Sequence, residues 1–393
     1  MSGILFGIDR LLASPGLVTG RVALVTNDAA RTARDPKLHS RVALQRAGLK
    51  LVRLFSPEHG IAARAPDGAA VADGVDPVTG LAIVSLYGER MRPPRESLTD
   101  LDAVLFDIPD IGARFYTYIW TLSHVLEACA EIGVPFIVLD RPNPLGGDLT
   151  AAEGPILDIA KFASFVGRAA IPIRHSLTVG ELAQLWKAEW KLDTRLQVIR
   201  CEGWRRSLHW PGTGLPFVPT SPAITSYEAA LLYPGVCLFE ATNLSVGRGT
   251  PLSFQAVGAP WLRAEKTVEH FNRLSPTGVV AEATKFHPAI SPHVGEYCPA
   301  VHLVVNNPQT FRPVATGLLL LATIIELHRE HFQWAKYPTA ANPSGEGHFE
   351  RLVGRAGIRA TLERGVAEVR PLIENWTAAS AWARRVDPIL LYR

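Results

Sequence analysis

The first half of the chain repeats one pattern: a short apolar, β-branched run stops at a cluster of polar residues, and a stretch with helical spacing follows. Arg21–Thr26 runs into Asn27-Asp28, Leu49–Phe55 into Ser56-Pro57-Glu58-His59-Gly60, and Ile83–Leu86 into Tyr87-Gly88. Ala103–Phe106 runs into Asp107-Ile108-Pro109-Asp110, and Pro135–Leu139 into Asp140-Arg141-Pro142-Asn143. Strands that alternate with helices argue for parallel βαβ units with right-handed crossovers, and in open α/β sheets ligands gather beyond the carboxyl ends of the strands. Pro57 has no N–H for a central ladder, so Glu58 and His59 are expected on the loop past their strand. Glu58, Asp107 or Asp110, and Asp140, Arg141 and Asn143 would then share one rim.

The rest of the chain reads differently. Residues 61–80, rich in Ala, Gly, Asp and Pro without a period, predict a mobile flap beside Glu58. Tyr118–Ile132 has helical spacing, and Thr178 with Glu181 three positions on has the spacing of a capping box that opens a helix to Trp190. Residues 203–225 are aromatic, Pro-rich and irregular, as a wall or junction would be. Beyond an apolar turn at Tyr233-Pro234-Gly235 lies a second polar motif, Glu240 to Thr250. Strands are expected at Val279–Phe286 and Ala300–Val305, and helices at Thr267–Leu274, Pro313–His331 and Val369–Arg384. The 393 residues exceed what one compact core usually serves, so the expected organisation is an α/β domain, 1–228, with a Rossmann-like parallel sheet, and a smaller α+β domain, 229–393.

Composition excludes several classes. A net charge of +3 without a dense Lys/Arg block gives no footprint for nucleic acid. Cys129, Cys201, Cys237 and Cys298 form no CxxC pair, so four free buried thiols are expected, as in a reducing compartment. No secretory signal is visible and no apolar run is long enough to span a bilayer, so the sequence as written reads as cytoplasmic. The GxGxxG, Walker A, HExxH and GxSxG signatures are all missing, and no metal site or cofactor is implied. Gly146-Gly147 lacks the lysine a phosphate loop would place beside it. What remains is carboxylates, arginines, asparagines and aromatics, a combination suited to a sugar and to the paired acid and base work of glycosidic cleavage.

The ordered strings Pro57-Glu58-His59-Gly60, Ser85-Leu86-Tyr87-Gly88, Phe106 to Tyr118, Leu139 to Gly147, Glu153-Gly154-Pro155 and Glu240 to Thr250 resemble the NamZ-like exo-β-N-acetylmuramidases, along essentially the whole chain. The resemblance implies a cleft between a Rossmann-like and a smaller domain. It also implies removal of N-acetylmuramic acid from the non-reducing end of peptidoglycan fragments such as MurNAc-GlcNAc. On it, Glu58 is the leading catalytic carboxylate, with helix capping or pairing with Arg114 as its structural alternative. Glu153 and Asp110 compete as its partner, with Glu240 behind them. His59 would orient Glu58 or touch substrate. Arg114 and Arg141 would grip the lactyl carboxylate, unless they pair with Asp107 or Asp140. Asn143 and Asn243 would meet the N-acetyl group or ring hydroxyls, and Tyr116 would stack on the sugar. Asp140 and Arg248 complete the expected binding set. Where many relatives read Ser-Glu-Gly-Arg-Gly-Thr this chain has Val246, which keeps open a non-catalytic, glycan-binding protein.

Overall fold

The computed structural model describes residues 3–393. Its larger sheet has seven strands in the order β3-β4-β2-β1-β5-β6-β7: β1 Arg21–Thr26, β2 Lys50–Ser56, β3 Gly74–Val75, β4 Ala82–Ser85, β5 Ala103–Asp107, β6 Phe136–Leu139 and β7 Leu196–Ile199. All neighbours pair in parallel except β3 on β4. Both faces of the sheet are covered, as a parallel sheet requires. Along β1, Val22 and Leu24 enter one core with Leu51, Leu54, Leu105 and Leu139, while Ala23 and Val25 enter the other with Phe55, Phe106 and Val138. That second core runs on without a break into the C-terminal half through Phe254, Val301 and Leu318.

The C-terminal half carries a three-stranded antiparallel sheet, β8 Ala256–Gly258, β9 Val279–Phe286 and β10 Cys298–Val305, in the order β8-β10-β9. Tyr233-Pro234-Gly235 is no turn; it lies inside the helix Tyr227–Val236. Gly235 is there because this helix crosses the Pro313–Leu327 helix at backbone contact, where a Cβ would meet the Pro313 carbonyl oxygen at 2.0 Å. The expected helix over Val369–Arg384 is broken into Ile373–Thr377 and Trp382–Val386, separated by Ala378 in extended conformation. All four cysteines are free and buried. Among the described residues no helix is long and apolar enough to cross a membrane.

Two helices fix the polar ends of the strands. Tyr118–Ile132 starts directly after the β5 loop and ends at Gly133, whose φ of 77° supplies the left-handed cap. Val179–Glu189 opens with the reciprocal capping box of Thr178 and Glu181.

Candidate active site

A cleft of about 790 Å³ opens where the loops after β2, β4 and β5 meet the C-terminal half. The first half contributes Glu58, His59, Asp67, Tyr87, Tyr116 and Thr117, and the second Tyr233, Glu240, Arg248, Phe254, Tyr337 and Arg351. This is polar chemistry set among aromatic side chains, as in small-ligand sites.

Glu58 is 6% exposed and fully engaged: Oε1 accepts from the Gly68 N–H at 2.7 Å and Oε2 from the Thr117 hydroxyl at 2.6 Å. Burial, and after it the Glu58 carboxylate, pushes the Tyr87 phenol well above its usual range. His59 stands beside Glu58 at a φ of 66°, an uncommon conformation for a residue with a side chain. Its Nδ1 lies 2.7 Å from the Ala65 carbonyl oxygen. A carbonyl only accepts, so Nδ1 carries the hydrogen in this contact.

Across the cleft, Arg248 holds two carboxylates. Its Nη2 is 2.6 Å from Glu240 Oε1 and its Nη1 is 3.0 Å from Asp67 Oδ1, with the guanidinium 4.8 Å above the Phe254 ring. Burial alone would lower the Arg248 pKa, but Glu240, Tyr337 and Asp67 outweigh it and hold the pKa well above the ordinary value. Tyr337 donates to Asp67, and Glu240 Oε1 lies 3.3 Å from the same hydroxyl. The adjacent pair Asp67-Gly68 therefore joins both carboxylate systems, one through its side chain and the other through its amide. Residues 61–80 are consequently no mobile flap. The Gly68 carbonyl accepts from Ala340 N–H at 2.7 Å, Val71 N–H donates to Tyr87, and the buried Asp76 pairs with Arg41.

The strand ends do form a common rim, yet it carries two separate hollows. Asp110 and Arg141 line the second, with Phe6, Trp210 and Phe217, outside the cleft that holds Glu58. Asp110 accepts from the Gly112 N–H at 2.8 Å and lies 3.2 Å from His175 Nε2. Arg141 grips Asp107 in a two-point fork, Nε at 2.5 Å and Nη2 at 3.0 Å. Asp140 is sealed in: it accepts from Thr178, from the Gly180 N–H at 2.8 Å and from Tyr392, and burial pushes its pKa up to about 6. Asn143 donates to the Leu177 carbonyl and accepts from Leu145 N–H, closing its own turn.

Glu153, expected as a catalytic partner, is fully buried and accepts from the Val314 and Ala315 N–H groups at 3.1 and 2.8 Å. It caps the Pro313–Leu327 helix and so latches the two halves together. Arg114 is equally sealed, donating to the carbonyls of Pro155, Ile171 and Leu352 at 2.8, 3.0 and 2.5 Å, and burial lowers its pKa to about 9. Asn243 ties its loop to His331 and Gln333. The Tyr116 hydroxyl donates to Thr220, leaving its ring as cleft wall. Val246 is 4% exposed in the main core and lines no part of the cleft, so the lost acid at that position leaves the cleft carboxylates intact. Glu58, His59, Tyr116, Glu240 and Arg248 thus meet in one place. Asp67, Tyr87, Thr117, Tyr337 and Arg351 join them without having been singled out from the sequence; a Tyr after β4 and a Thr opening a helix were the available signals.

Comparison with known proteins gives one answer. The family model described as exo-β-N-acetylmuramidase NamZ, N-terminal, matches residues 22–228, and its C-terminal counterpart matches residues 231–392. The peptidoglycan β-N-acetylmuramidase NamZ of Bacillus subtilis (strain 168) is 40% identical over 365 residues, covering 92% of this chain and 84% of that protein. Two solved DUF1343 family proteins of Bacteroides fragilis NCTC 9343 superpose along the chain. One has a TM-score of 0.86 at 29% identity, covering 100% of both chains; the other has 0.72 at 27%, covering 100% of this chain and 99% of that one.

Proposed function

We propose, for a chain that belongs to the exo-β-N-acetylmuramidase NamZ family, that it is an exo-acting glycoside hydrolase releasing N-acetylmuramic acid from the non-reducing end of peptidoglycan-derived glycans, with the disaccharide MurNAc-GlcNAc as a minimal substrate. The observation that carries this reading to particular residues is the meeting of Glu58 with the Glu240–Arg248–Asp67 cluster in one aromatic-lined cleft.

Glycosidic cleavage needs one carboxyl group to protonate the leaving oxygen and a second to deal with the other face of the sugar. Glu58 is the proposed acid. An amide N–H occupies its Oε1, which keeps a proton off that atom, whereas Oε2 faces a hydroxyl able to accept as well as donate. The proton to be transferred therefore belongs on Oε2. Glu240 is the proposed partner: burial pushes its pKa up, and Arg248, which orients it, opposes that rise. Tyr116 and Tyr233 offer ring surface to the apolar side of the pyranose.

The test is to incubate the protein with MurNAc-GlcNAc and resolve the products. Equimolar MurNAc and GlcNAc are expected, with no cleavage of a β-GlcNAc glycoside. Tight binding of the disaccharide without turnover would make the protein a glycan receptor and overturn the reading.

A further inference from the structure

Five charged carboxylate and guanidinium side chains line the cleft: Glu58, Asp67, Glu240, Arg248 and Arg351. Arg248 is spent within the protein on Glu240 and Asp67. Arg351, half-buried in the short helix His348–Val353, makes no side-chain hydrogen bond or ion pair among the described residues. Phe165, Asn342 and Leu352, which line the same cleft, carry no charge. Asp67 and Glu240 already set two carboxylates against Arg248, so the cleft accepts an anionic sugar only where a cation without a partner receives it.

We propose that Arg351 is the specificity residue that receives the substrate's own carboxylate. The inference rests on the muramidase reading. N-acetylmuramic acid differs from N-acetylglucosamine by a lactyl ether at O3, which adds one carboxylate to an otherwise neutral sugar. A guanidinium binds that group in a two-point fork, and burial in a cleft with an apolar wall strengthens the pair.

The fold supports this use of Arg351 through Arg114. That guanidinium, sealed beneath the cleft, reaches from the loop after β5 across 238 positions to the Leu352 carbonyl, the residue next to Arg351. Gly354, just past the helix, continues the anchor: its carbonyl accepts from Asp158 N–H at 2.9 Å, and an added Cβ would lie 2.8 Å from Arg114 Nη2. Arg114 was expected to grip the lactyl group itself; here it is a positioning residue that fixes the backbone presenting Arg351.

The experiment is a chemical double-mutant cycle on inhibition. The wild type and Arg351→Met are assayed for cleavage of a chromogenic β-MurNAc glycoside, with free MurNAc and its lactyl methyl ester as competitors. In the wild type MurNAc should inhibit roughly 10- to 100-fold better than the ester, the range of a charge-assisted hydrogen-bonded pair. In Arg351→Met that ratio should collapse toward one and KM for the glycoside should rise, with kcat much less affected. Arg351→Lys should recover part of the ratio. An unchanged ratio in Arg351→Met, or a ratio near one in the wild type, overturns the assignment while leaving the muramidase reading intact. A wild type that does not cut the glycoside removes the reading, and the inference with it.

Discussion

The cleft and the strand-end cluster around Asp140 are built from the same residue types, and they behave in opposite ways. Asp140, Asn143 and Glu153 are all sealed, and their polar atoms are bonded to helix N-termini or backbone carbonyls. Glu58, Arg248 and Arg351 line open space. A buried charge costs stability unless the fold satisfies it, so the first set is explained by the fold and has nothing left for a ligand. What separates the two sets is therefore whether the group lines the open cleft, and motif membership does not report that.

That contrast breaks most visibly at Glu58. Glu58→Gln should lower turnover of a β-MurNAc glycoside by ~10²–10⁴-fold, the usual worth of a positioned proton donor. Its melting temperature should stay close to wild type, since Gln still accepts from Gly68. A calorimetric scan beside the kinetic assay checks both halves.

The opposite signature is expected on the sealed side. Arg114→Met strips three buried carbonyls of their donor and should cost about 3 kcal/mol or more in urea unfolding, because each unsatisfied group carries a penalty of its own. Glu153→Gln should cost about 1.5–3 kcal/mol, the worth of hydrogen bonds to a charged group. The Glu153 variant should keep near wild-type kcat wherever it is folded. A large kcat loss at unchanged stability would return Glu153 to the catalytic machinery.

The smallest effect lies in pH dependence. Burial lowers the pKa of both His124 and His209 to about 4. The unfolded chain takes up these protons near pH 6.5 while the fold refuses them, so their contribution is present above pH 6.5 and is lost as the pH falls toward 4. Asp140, raised to about 6, works the other way: the fold keeps a proton the unfolded chain has released, and its contribution is lost as the pH rises through 6. Against wild type, His209→Asn should flatten the acid-side fall in melting temperature, and Asp140→Asn should steepen it between pH 6 and 4.

The parallel sheet was legible because β1, β2, β4, β5 and β6 each carry their own local signal, whereas β3 lies in the aperiodic 61–80 segment. The helix Tyr118–Ile132 has the expected bounds, and Thr178 caps its helix as the spacing requires. The lining of the cleft was legible at Glu58 and at the Glu240–Arg248 motif. The remainder of the cleft was not, for a physical reason: Asp67 and Tyr337 meet across 270 positions, and both lie in aperiodic segments whose order comes from tertiary hydrogen bonds. Arg351 gives no local sign at all, since only the absence of a partner marks it. Val369–Arg384 shows the converse error, an amphipathic period that tertiary packing breaks at Ala378.

The most direct test is a crystal structure of Glu58→Gln with MurNAc-GlcNAc bound. The account predicts the sugar in the cleft between the two halves, with the glycosidic oxygen within hydrogen-bond distance of residue 58. A disaccharide seated instead in the hollow beside Asp110 and Arg141, with residue 58 remote from the scissile bond, would contradict it.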